Sequence, residues 1–480
     1  MIRRLFLGLL ACAFTVGTLA AEFARPNIVF ILADDMGYGD PACFNSQSKC
    51  PTPHLDGLAA QGMRFTDAHA AGPLCVPSRY GLLTGRYPFR NFSMEPSKGP
   101  LIEPGRVTIA SLLRERGYAT AMIGKWHLGF EGGDQFDCSQ ALRGGPFDHG
   151  FAYFFGQHAS LDIPPYFLIE NDHCVAAPTD HIAAGSSPGW SPIQGAFWRA
   201  GAIAPGFKHE DVLPTYTRKA VEYLDARAKS PGQPFLLYLA LTAPHTPWLP
   251  MEAFRAKSAG NLYAAWVAQV DDAVGRVLAA LVREGLSDHT LVLFSSDNGP
   301  VWYPADVKKY GHAAAAGFRG MKGDVWEGGH REPFLARWPG KIKAGTTSKD
   351  LICFTDVLAT FAALTGATLP AGAGEDSFSF LPELLGERPG SPARSELIIG
   401  QGRANLTIRQ GDWQLIPFLG SGGFTKPSRR EPKAGEPPGQ LYNLASDPGQ
   451  TNNVYAAHPE IVQRLTSRVA ELVAQGRSRP

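Results

Sequence analysis

The sequence predicts an α/β protein with a central, mostly parallel sheet, followed by a smaller α+β C-terminal domain with an antiparallel sheet. Three continuous apolar runs, at 27–32, 118–123 and 235–241, are typical of strands buried on both faces of a parallel sheet. A helical pattern at 261–285, with apolar residues at steps of three and four, precedes a fourth such run at 290–294. This order of helical and strand patterns favours parallel strands covered by helices.

Shorter patterns predict the remaining elements of the large domain. Helices are expected at 53–59, 107–116, 215–228 and 350–365. Further strands are expected at 63–70 and 334–338. The segment 162–208 is rich in Pro, Gly, His and Asp without periodicity, and it is predicted to be a long loop that shapes a substrate pocket.

The composition changes after Thr368, where Pro and Gly become more frequent, so we place a domain boundary near Gly374. The large domain then covers 22–374 and the C-terminal domain covers 375–480. In the second domain, strands are predicted at 395–400, 406–408 and 413–416, and a closing helix at 458–474.

The first 21 residues have the pattern of a secretory signal peptide. Arg3 and Arg4 precede the apolar run 5–20, and small residues near its end offer a cleavage site. The run lacks the length and flanks of a retained membrane helix, and Cys12 only faintly resembles a lipidation site. We therefore expect an exported protein, periplasmic or secreted, without stable membrane insertion.

The overall charge argues against some classes of partner. The chain has 45 basic and 44 acidic residues and a formal net charge of +1. Such a balance gives no general attraction to nucleic acid or to an anionic membrane. Any anion specificity must come from a local site.

The chain contains seven cysteines, which matter because exported proteins form disulfides. Plausible pairs are Cys43 with Cys50 and Cys138 with Cys174, although connectivity cannot be read from a sequence. Cys353 lies in an apolar run and is predicted to be a buried thiol. No Cys/His spacing suggests zinc.

Oxygen-bearing side chains follow two of the predicted strands. Asp34 and Asp35 come directly after the first strand, and Asp297-Asn298 follow the strand at 290–294. If these strands are neighbours, all four side chains meet at the edge where α/β sheets bind ligands. Three adjacent carboxylates require a neutralising cation, and ligands with only oxygen donors select calcium or magnesium. Solvated aspartates in a turn are the alternative for Asp34-Asp35.

The stretch 73–86 indicates a short helix that begins near Cys75 and ends at Gly85. Free N–H groups at a helix N-terminus favour an anion, and Arg79 lies one turn further on. A buried structural cysteine in front of an ordinary helix is the alternative reading of Cys75.

Other cationic groups follow predicted strands. Lys125 and His127 would share one face of an extended strand, and His245 lies between two prolines after the strand at 235–241. Taken alone, each could be a surface or loop residue, as could Lys322.

Several of these segments together resemble the type I sulfatases, members of the alkaline phosphatase superfamily. Cys-x-Pro-Ser-Arg followed by Leu-Thr-Gly, from Cys75 to Gly85, is similar to the family signature at each of its fixed positions. Gly-Lys-Trp-His-Leu-Gly at 124–129, the stretch from Phe318 and the motif at 441–448 also resemble family motifs. Gln450 stands where the family usually has an acidic residue.

The resemblance implies an alkaline-phosphatase-like sandwich and a set of site residues. It implies that a dedicated maturation enzyme oxidises Cys75 to formylglycine, whose hydrated aldehyde is the nucleophile. The residues implied to bind calcium are Asp34, Asp35, Cys75, Asp297 and Asn298. Arg79 is implied to orient the formylglycine. The residues implied to contact or protonate substrate are Lys125, His127, His245 and Lys322, with Ser160 as a weaker match.

The expected function is hydrolysis of a sulfate monoester. A sulfated carbohydrate is favoured over an aryl sulfate, because 162–208 carries aromatic and polar groups suited to a sugar, such as Tyr166, Trp190 and Trp198. A phosphonate or phosphodiester hydrolase of the same superfamily is one alternative. A catalytically silent protein that binds sulfated glycans is the other.

Overall fold

The strands form one large sheet, a four-stranded sheet and two short pairs in the computed structural model of the protein. The structure describes residues 25–479 except Phe92, Ala259, Pro389 and 401–405. The predicted signal peptide at 1–21, its cleavage site and Cys12 lie outside the described residues.

Eighteen strands are numbered here in chain order within the described residues. They are β1 (Asn27–Asp34), β2 (Met63–Phe65), β3 (Ala68–His69), β4 (Ala119–Lys125), β5 (Tyr153–Gln157), β6 (Ile169–Glu170), β7 (His173–Cys174), β8 (Asp180–Ile182), β9 (Gly201–Ile203), β10 (Phe235–Pro244), β11 (Thr290–Ser296), β12 (Phe334–Arg337), β13 (Thr346–Ser348), β14 (Ile352–Cys353), β15 (Glu396–Ile399), β16 (Thr407–Gln410), β17 (Trp413–Ile416) and β18 (Gln440–Asn443).

The α-helices are numbered in the same way. They are α1 (Pro53–Gln61), α2 (Cys75–Thr84), α3 (Ile109–Glu115), α4 (Val212–Ala228), α5 (Glu252–Arg255), α6 (Leu262–Arg283), α7 (Pro304–Tyr310), α8 (Asp356–Thr365), α9 (Leu381–Leu384) and α10 (Pro459–Gln475).

The large sheet has ten strands in the order β13-β2-β12-β11-β1-β10-β4-β5-β6-β7. Its five central strands, β11 to β5 in that order, are parallel, so their carboxyl ends meet at one edge. The strand predicted at 334–338 is present as β12, but it pairs antiparallel with β11. The fold class predicted from the apolar runs is confirmed.

Helices cover both faces of this sheet because its strands are apolar on both sides. On β1, Ile28 and Phe30 pack in a core with α2, α3 and α8, whereas Val29 and Ile31 pack in a second core with α1, α4 and α6. The result is a three-layer α/β/α sandwich, which leaves the strand ends as the natural place for a binding site.

The C-terminal part contains the antiparallel sheet β15-β16-β17-β18. One face packs under α10, with Ile408, Leu441 and Leu465 in a shared core, and the other face packs against Val325 and Trp326 of the large part. The predicted antiparallel sheet and closing helix are therefore present. The domain division near Gly374 stays a prediction.

Two predicted segments differ from the structure. The helix expected at 350–365 begins only at Asp356, whose carboxylate accepts the backbone N–H groups of Cys353 and Phe378 and so fixes the preceding turn. The loop predicted at 162–208 contains the short strands β6 to β9, and β6 and β7 extend the large sheet.

The cysteines follow the prediction in part. Cys138 and Cys174 form a disulfide, and Cys353 is a free buried thiol. The proposed pair of Cys43 and Cys50 is wrong, since both are free thiols. Cys50 is buried beside His312, with Sγ 3.5 Å from Nε2, whereas the Cys43 backbone is held by the Asp56 carboxylate of α1.

Across the part of the chain that the structure describes, no helix combines the length and the apolar character needed to cross a membrane.

Candidate active site

Cys75 is the first residue of α2 and lies at the centre of the site. The preceding residue, Leu74, is extended, and the helix ends at Gly85, which adopts the left-handed conformation at φ 66°. Glycine is suited to such a C-terminal position because it has no Cβ. The Cys75 Sγ is buried and lies 3.5 Å from Asp34 Oδ1, so the helix start and the end of β1 meet here.

The carboxylates predicted to converge do so at the ends of β1 and β11. The two strands are parallel neighbours, and the Asp297 N–H donates to the Ala33 carbonyl at 3.0 Å. The Asp35 N–H donates to Asp297 Oδ1 at 3.2 Å, and Asp35 itself has φ 66°. A non-glycine residue at positive φ is uncommon, and such conformations cluster at functional sites.

Three buried cations face these three carboxylates. Arg79 Nε donates to Asp297 Oδ2 at 2.9 Å, Lys125 Nζ to Asp34 Oδ2 at 2.5 Å and Lys322 Nζ to Asp35 Oδ2 at 2.8 Å. The carboxylates therefore do not depend on a metal ion alone for their neutralisation. The protein supplies one positive side chain for each negative one.

The donor atoms still fit a hard metal ion. Asn298 Oδ1 is buried without a hydrogen-bond partner, and its Nδ2 donates to Asp35 Oδ1 at 2.7 Å. Ligand atoms of Asp34, Asp35, Cys75 and His245 lie within 4.8 Å of one another. An unpaired amide oxygen among carboxylates suits calcium or magnesium, both of which prefer oxygen ligands.

The surroundings perturb the ionisation of the central groups. Burial, reinforced by the negative charge of Asp297, raises the pKa of the Cys75 thiol well above its usual range. An unmodified thiol with such a pKa stays protonated and is a poor nucleophile. Burial, together with the charges of Lys125 and Arg79, lowers the pKa of His127 well below its usual range, so its imidazole is neutral.

His127 and Lys125 both reach the site, but the backbone between them differs from the prediction. Strand β4 ends at Lys125, and His127 adopts φ 59°, outside the extended region. The two side chains therefore do not share a strand face, because the backbone turns after Lys125. The Trp126 and His127 N–H groups donate to the carbonyls of Gln157 and His158, which holds this turn against the end of β5.

His245 is held after the end of β10 by its own loop. Its Nδ1 donates to the Thr246 carbonyl at 2.6 Å, and its backbone carbonyl accepts from Trp266 Nε1 at 3.1 Å. Nε2 lies 3.7 Å from Asp35 Oδ2. These contacts leave Nε2 as the ring nitrogen available to a substrate.

A cavity of about 310 Å³ opens above these groups. Six predicted site residues line it, namely Asp35, Cys75, His127, Ser160, His245 and Lys322. The other five, Asp34, Arg79, Lys125, Asp297 and Asn298, are buried and do not line it. The structure thus brings all eleven residues together in two layers.

Sequence reasoning missed part of the cavity wall. Asp162 and Arg199, both in the 162–208 segment, line the cavity, and Phe424 lines it from the C-terminal part. The aromatic residues expected to contact a sugar do not line it, since Trp190 packs on Trp248 and Tyr310, and Trp198 on His209. No motif marks Asp162 or Arg199, because only the folded loop brings them together.

Gln450, the departure from the family pattern, has a structural role. It is buried, and its Oε1 accepts the Glu327 N–H at 2.8 Å. Its Nε2 donates to the amide oxygen Oε1 of Gln414. Gln450 therefore links the segment at Glu327 to strand β17, and it does not line the cavity.

Comparison with known proteins settles the family. The sulfatase family model matches residues 26–367. The chain belongs to the sulfatase family. It is a sulfatase, an enzyme that hydrolyses sulfate esters. Among curated relatives, it is 34% identical to an N-acetylgalactosamine-6-O-sulfatase of Bacteroides thetaiotaomicron, over 92% of this chain and 92% of that one. It is 35% identical to human arylsulfatase A, over 92% of this chain and 86% of that one.

A solved structure supports the same assignment for this sulfatase. It comes from work on the metabolism of multiple glycosaminoglycans by Bacteroides thetaiotaomicron, and it matches with a TM-score of 0.81 and 31% identity. The match covers 94% of this chain and 99% of that chain, so it includes both the large sheet and the C-terminal sheet.

Proposed function

We propose that this sulfatase removes sulfate from a sulfated carbohydrate, with a formylglycine made from Cys75 and a bound calcium ion. The observation that carries the proposal is the convergence of Cys75, His245 and Lys322 on one cavity, above oxygen donors supplied by β1 and β11. A sulfate ester has a negative group to be held and an oxygen to be protonated, and this cavity offers cations and a histidine for both tasks.

The non-protein groups would act at the cavity floor. Asp34, Asp35, Asp297 and Asn298 would hold calcium, together with the modified side chain at position 75. Calcium supplies Lewis-acid polarisation, and the hydrated aldehyde of formylglycine supplies the attacking oxygen. The N-terminus of α2 favours negative charge at that position.

The side chains of the chain supply charge and a proton. Lys322 lines the cavity and would direct positive charge at the sulfuryl oxygens, and the buried Lys125 and Arg79 would add positive charge below. Charge stabilisation of this kind is usually the largest catalytic term. His245 Nε2 is the available ring nitrogen and would protonate the leaving oxygen. Neutral His127 can accept a proton from the hydroxyl groups at position 75.

A carbohydrate substrate agrees with the cavity and with the relatives. The cavity volume of about 310 Å³ leaves room for a small substrate group above the sulfate. One relative is named for N-acetylgalactosamine 6-sulfate, and we take hexosamine and hexose sulfates as the first class to test.

Export would bring the enzyme to such substrates. The predicted signal peptide and the Cys138–Cys174 disulfide both agree with an oxidising compartment outside the cytoplasm. A formylglycine-generating maturation enzyme would be an obligatory partner before or during export.

A substrate panel tests the proposal. Sulfate release is measured on the 6-sulfates of N-acetylgalactosamine, galactose and N-acetylglucosamine, on other sugar sulfates, on 4-nitrophenyl sulfate and on phosphate diesters and phosphonate esters. We expect turnover of at least one sugar sulfate by the matured enzyme and none by Cys75→Ala, because the variant lacks the nucleophile precursor.

Three other outcomes would contradict the proposal. Turnover confined to aryl sulfates would exclude a carbohydrate sulfate as the substrate. Faster turnover of phosphonate or phosphodiester substrates would favour that alternative activity. Binding of sulfated glycans without turnover would indicate a silent glycan-binding protein.

A further inference from the structure

Asp162 presents an unused hydrogen-bond acceptor in the cavity wall. Its residue is 5% exposed, and it lines the cavity with Ser160 and Ile163. Oδ2 pairs with the Arg199 guanidinium, but Oδ1 is buried without a hydrogen-bond partner. His245 Nδ1 lies 3.9 Å from Oδ1, and that nitrogen already donates to the Thr246 carbonyl. A buried carboxylate oxygen without a donor is costly unless a ligand supplies one.

Backbone contacts and the Tyr166 hydroxyl hold Asp162 and Arg199 in fixed positions. The Asp162 carbonyl accepts the Arg199 N–H at 3.1 Å, and the Tyr166 hydroxyl lies 3.0 Å from that carbonyl and 2.6 Å from the Arg199 carbonyl. The Arg199 guanidinium also lies over the Phe197 ring, 5.3 Å from its centre. A pair fixed by its own backbone is preorganised, so little conformational freedom is lost when a ligand binds.

The charges of this pair cancel. The carboxylate and the guanidinium form one ion pair, so the pair adds no net positive charge to attract a second sulfate or a carboxylate. It offers one acceptor, Asp162 Oδ1, and donors on the half-exposed Arg199. Neutral hydroxyl groups match such a combination, because each hydroxyl both donates and accepts.

Other parts of the cavity wall are apolar. They include Val76, Met94, Val301 and Phe424. A sugar ring has hydroxyl groups at its edge and C–H groups on its faces, so it can contact the ion pair and the apolar surface together. An aryl ring could contact the apolar residues but offers no hydroxyl to the pair.

We infer that Asp162 and Arg199 recognise the free sugar hydroxyl nearest to the sulfated carbon. Asp162 Oδ1 accepts the hydroxyl proton, and Arg199 donates to the same or the adjacent sugar oxygen. The inference rests on the proposed carbohydrate sulfatase function and makes these two residues determinants of specificity. Their position beside His245 places the recognised hydroxyl close to the leaving oxygen.

The test compares three substrates. They are the sugar sulfate that the wild type hydrolyses best in the panel above, the same ester with the nearest hydroxyl replaced by hydrogen, and 4-nitrophenyl sulfate. A hydrogen bond to a charged group changes kcat/KM by about 10- to 100-fold, so the wild type should prefer the hydroxyl-bearing sugar by that factor. The factor by which Asp162→Asn lowers kcat/KM should be at least tenfold larger on this sugar than on the deoxy ester or the aryl ester.

Asp180→Asn is the matched control, because Asp180 is an exposed aspartate of the same segment and does not line the cavity. It should leave all three rates at the wild-type level. Equal losses on the hydroxyl and deoxy esters for Asp162→Asn would overturn the inference. If that variant fails to fold, a wild-type ratio near one for the two sugars overturns it as well. A wild type that hydrolyses only the aryl ester would instead refute the proposed carbohydrate substrate, and the inference with it.

Discussion

Replacement of His245 by alanine should affect substrates according to their leaving group. The ring is held with Nδ1 on the Thr246 carbonyl at 2.6 Å, so Nε2 is the nitrogen that can deliver a proton. A sugar alkoxide is strongly basic and needs that proton in the transition state, whereas 4-nitrophenolate leaves without much help. His245→Ala should therefore lower kcat/KM much more on the sugar sulfate than on 4-nitrophenyl sulfate.

General acid catalysis is typically worth about 10²- to 10⁴-fold, which sets the expected size of the effect. His245→Ala should lower kcat/KM on a sugar sulfate by about that factor and on 4-nitrophenyl sulfate by about tenfold or less. Lys125→Ala is the comparison. It removes positive charge below the sulfate and should slow both substrates more nearly alike.

His181→Ala is the matched control for the histidine, because His181 is exposed and does not line the cavity. The assay is kcat/KM on both esters for all four proteins, with folding checked by circular dichroism. Equal losses on the two esters for His245→Ala would refute the reasoning. The histidine would then bind sulfate, and Lys322 would be the next candidate for the acid.

Two further predictions concern metal and pH. Chelation should abolish turnover and added calcium should restore it, because Asp34, Asp35, Asp297 and Asn298 can supply oxygen ligands. Full activity in protein shown to be metal-free by elemental analysis would contradict the proposed site. Burial lowers the pKa of His158 to about 4 from the ordinary value of 6.5. The unfolded chain therefore binds more protons than the native state between these values, and stability falls as the pH drops through this window. His158 should reduce the free energy of unfolding by about 2 kcal/mol between about pH 8 and pH 5. His158→Gln should remove that part of the pH dependence of stability, measured by urea unfolding, whereas the control His181→Gln, at an exposed site, should not. Identical pH dependence in wild type and His158→Gln would contradict the lowered pKa of His158.

The central sheet and the meeting of Asp34 with Asp297 could be predicted because they depend on local patterns. A run such as 27–32, apolar at nearly every position, has few alternatives to a strand buried on both faces. Once β1 and β11 are parallel neighbours, Asp34 and Asp297 must meet, since the carboxyl ends of such strands share one edge. The helix start at Cys75 and its glycine end at Gly85 follow from equally local rules.

What could not be predicted depends on contacts between distant segments. Asp162 and Arg199 are 37 residues apart, and only the folded loop makes them a pair. The positive φ of His127 has no local signal, so the expectation that it shares a strand face with Lys125 is wrong. Cys50 faces His312 instead of Cys43, because a contact 262 residues away in sequence decides its surroundings.

Mass spectrometry of the peptide that contains Cys75 tests the central claim most directly. Enzyme from the native host would be digested and the fraction carrying an aldehyde in place of the thiol measured, beside the specific activity of the same preparation. Preparations matured to different extents should show turnover of a sugar sulfate in proportion to the aldehyde fraction, with none at zero modification. Full turnover by protein whose Cys75 is entirely an unmodified thiol would contradict the account.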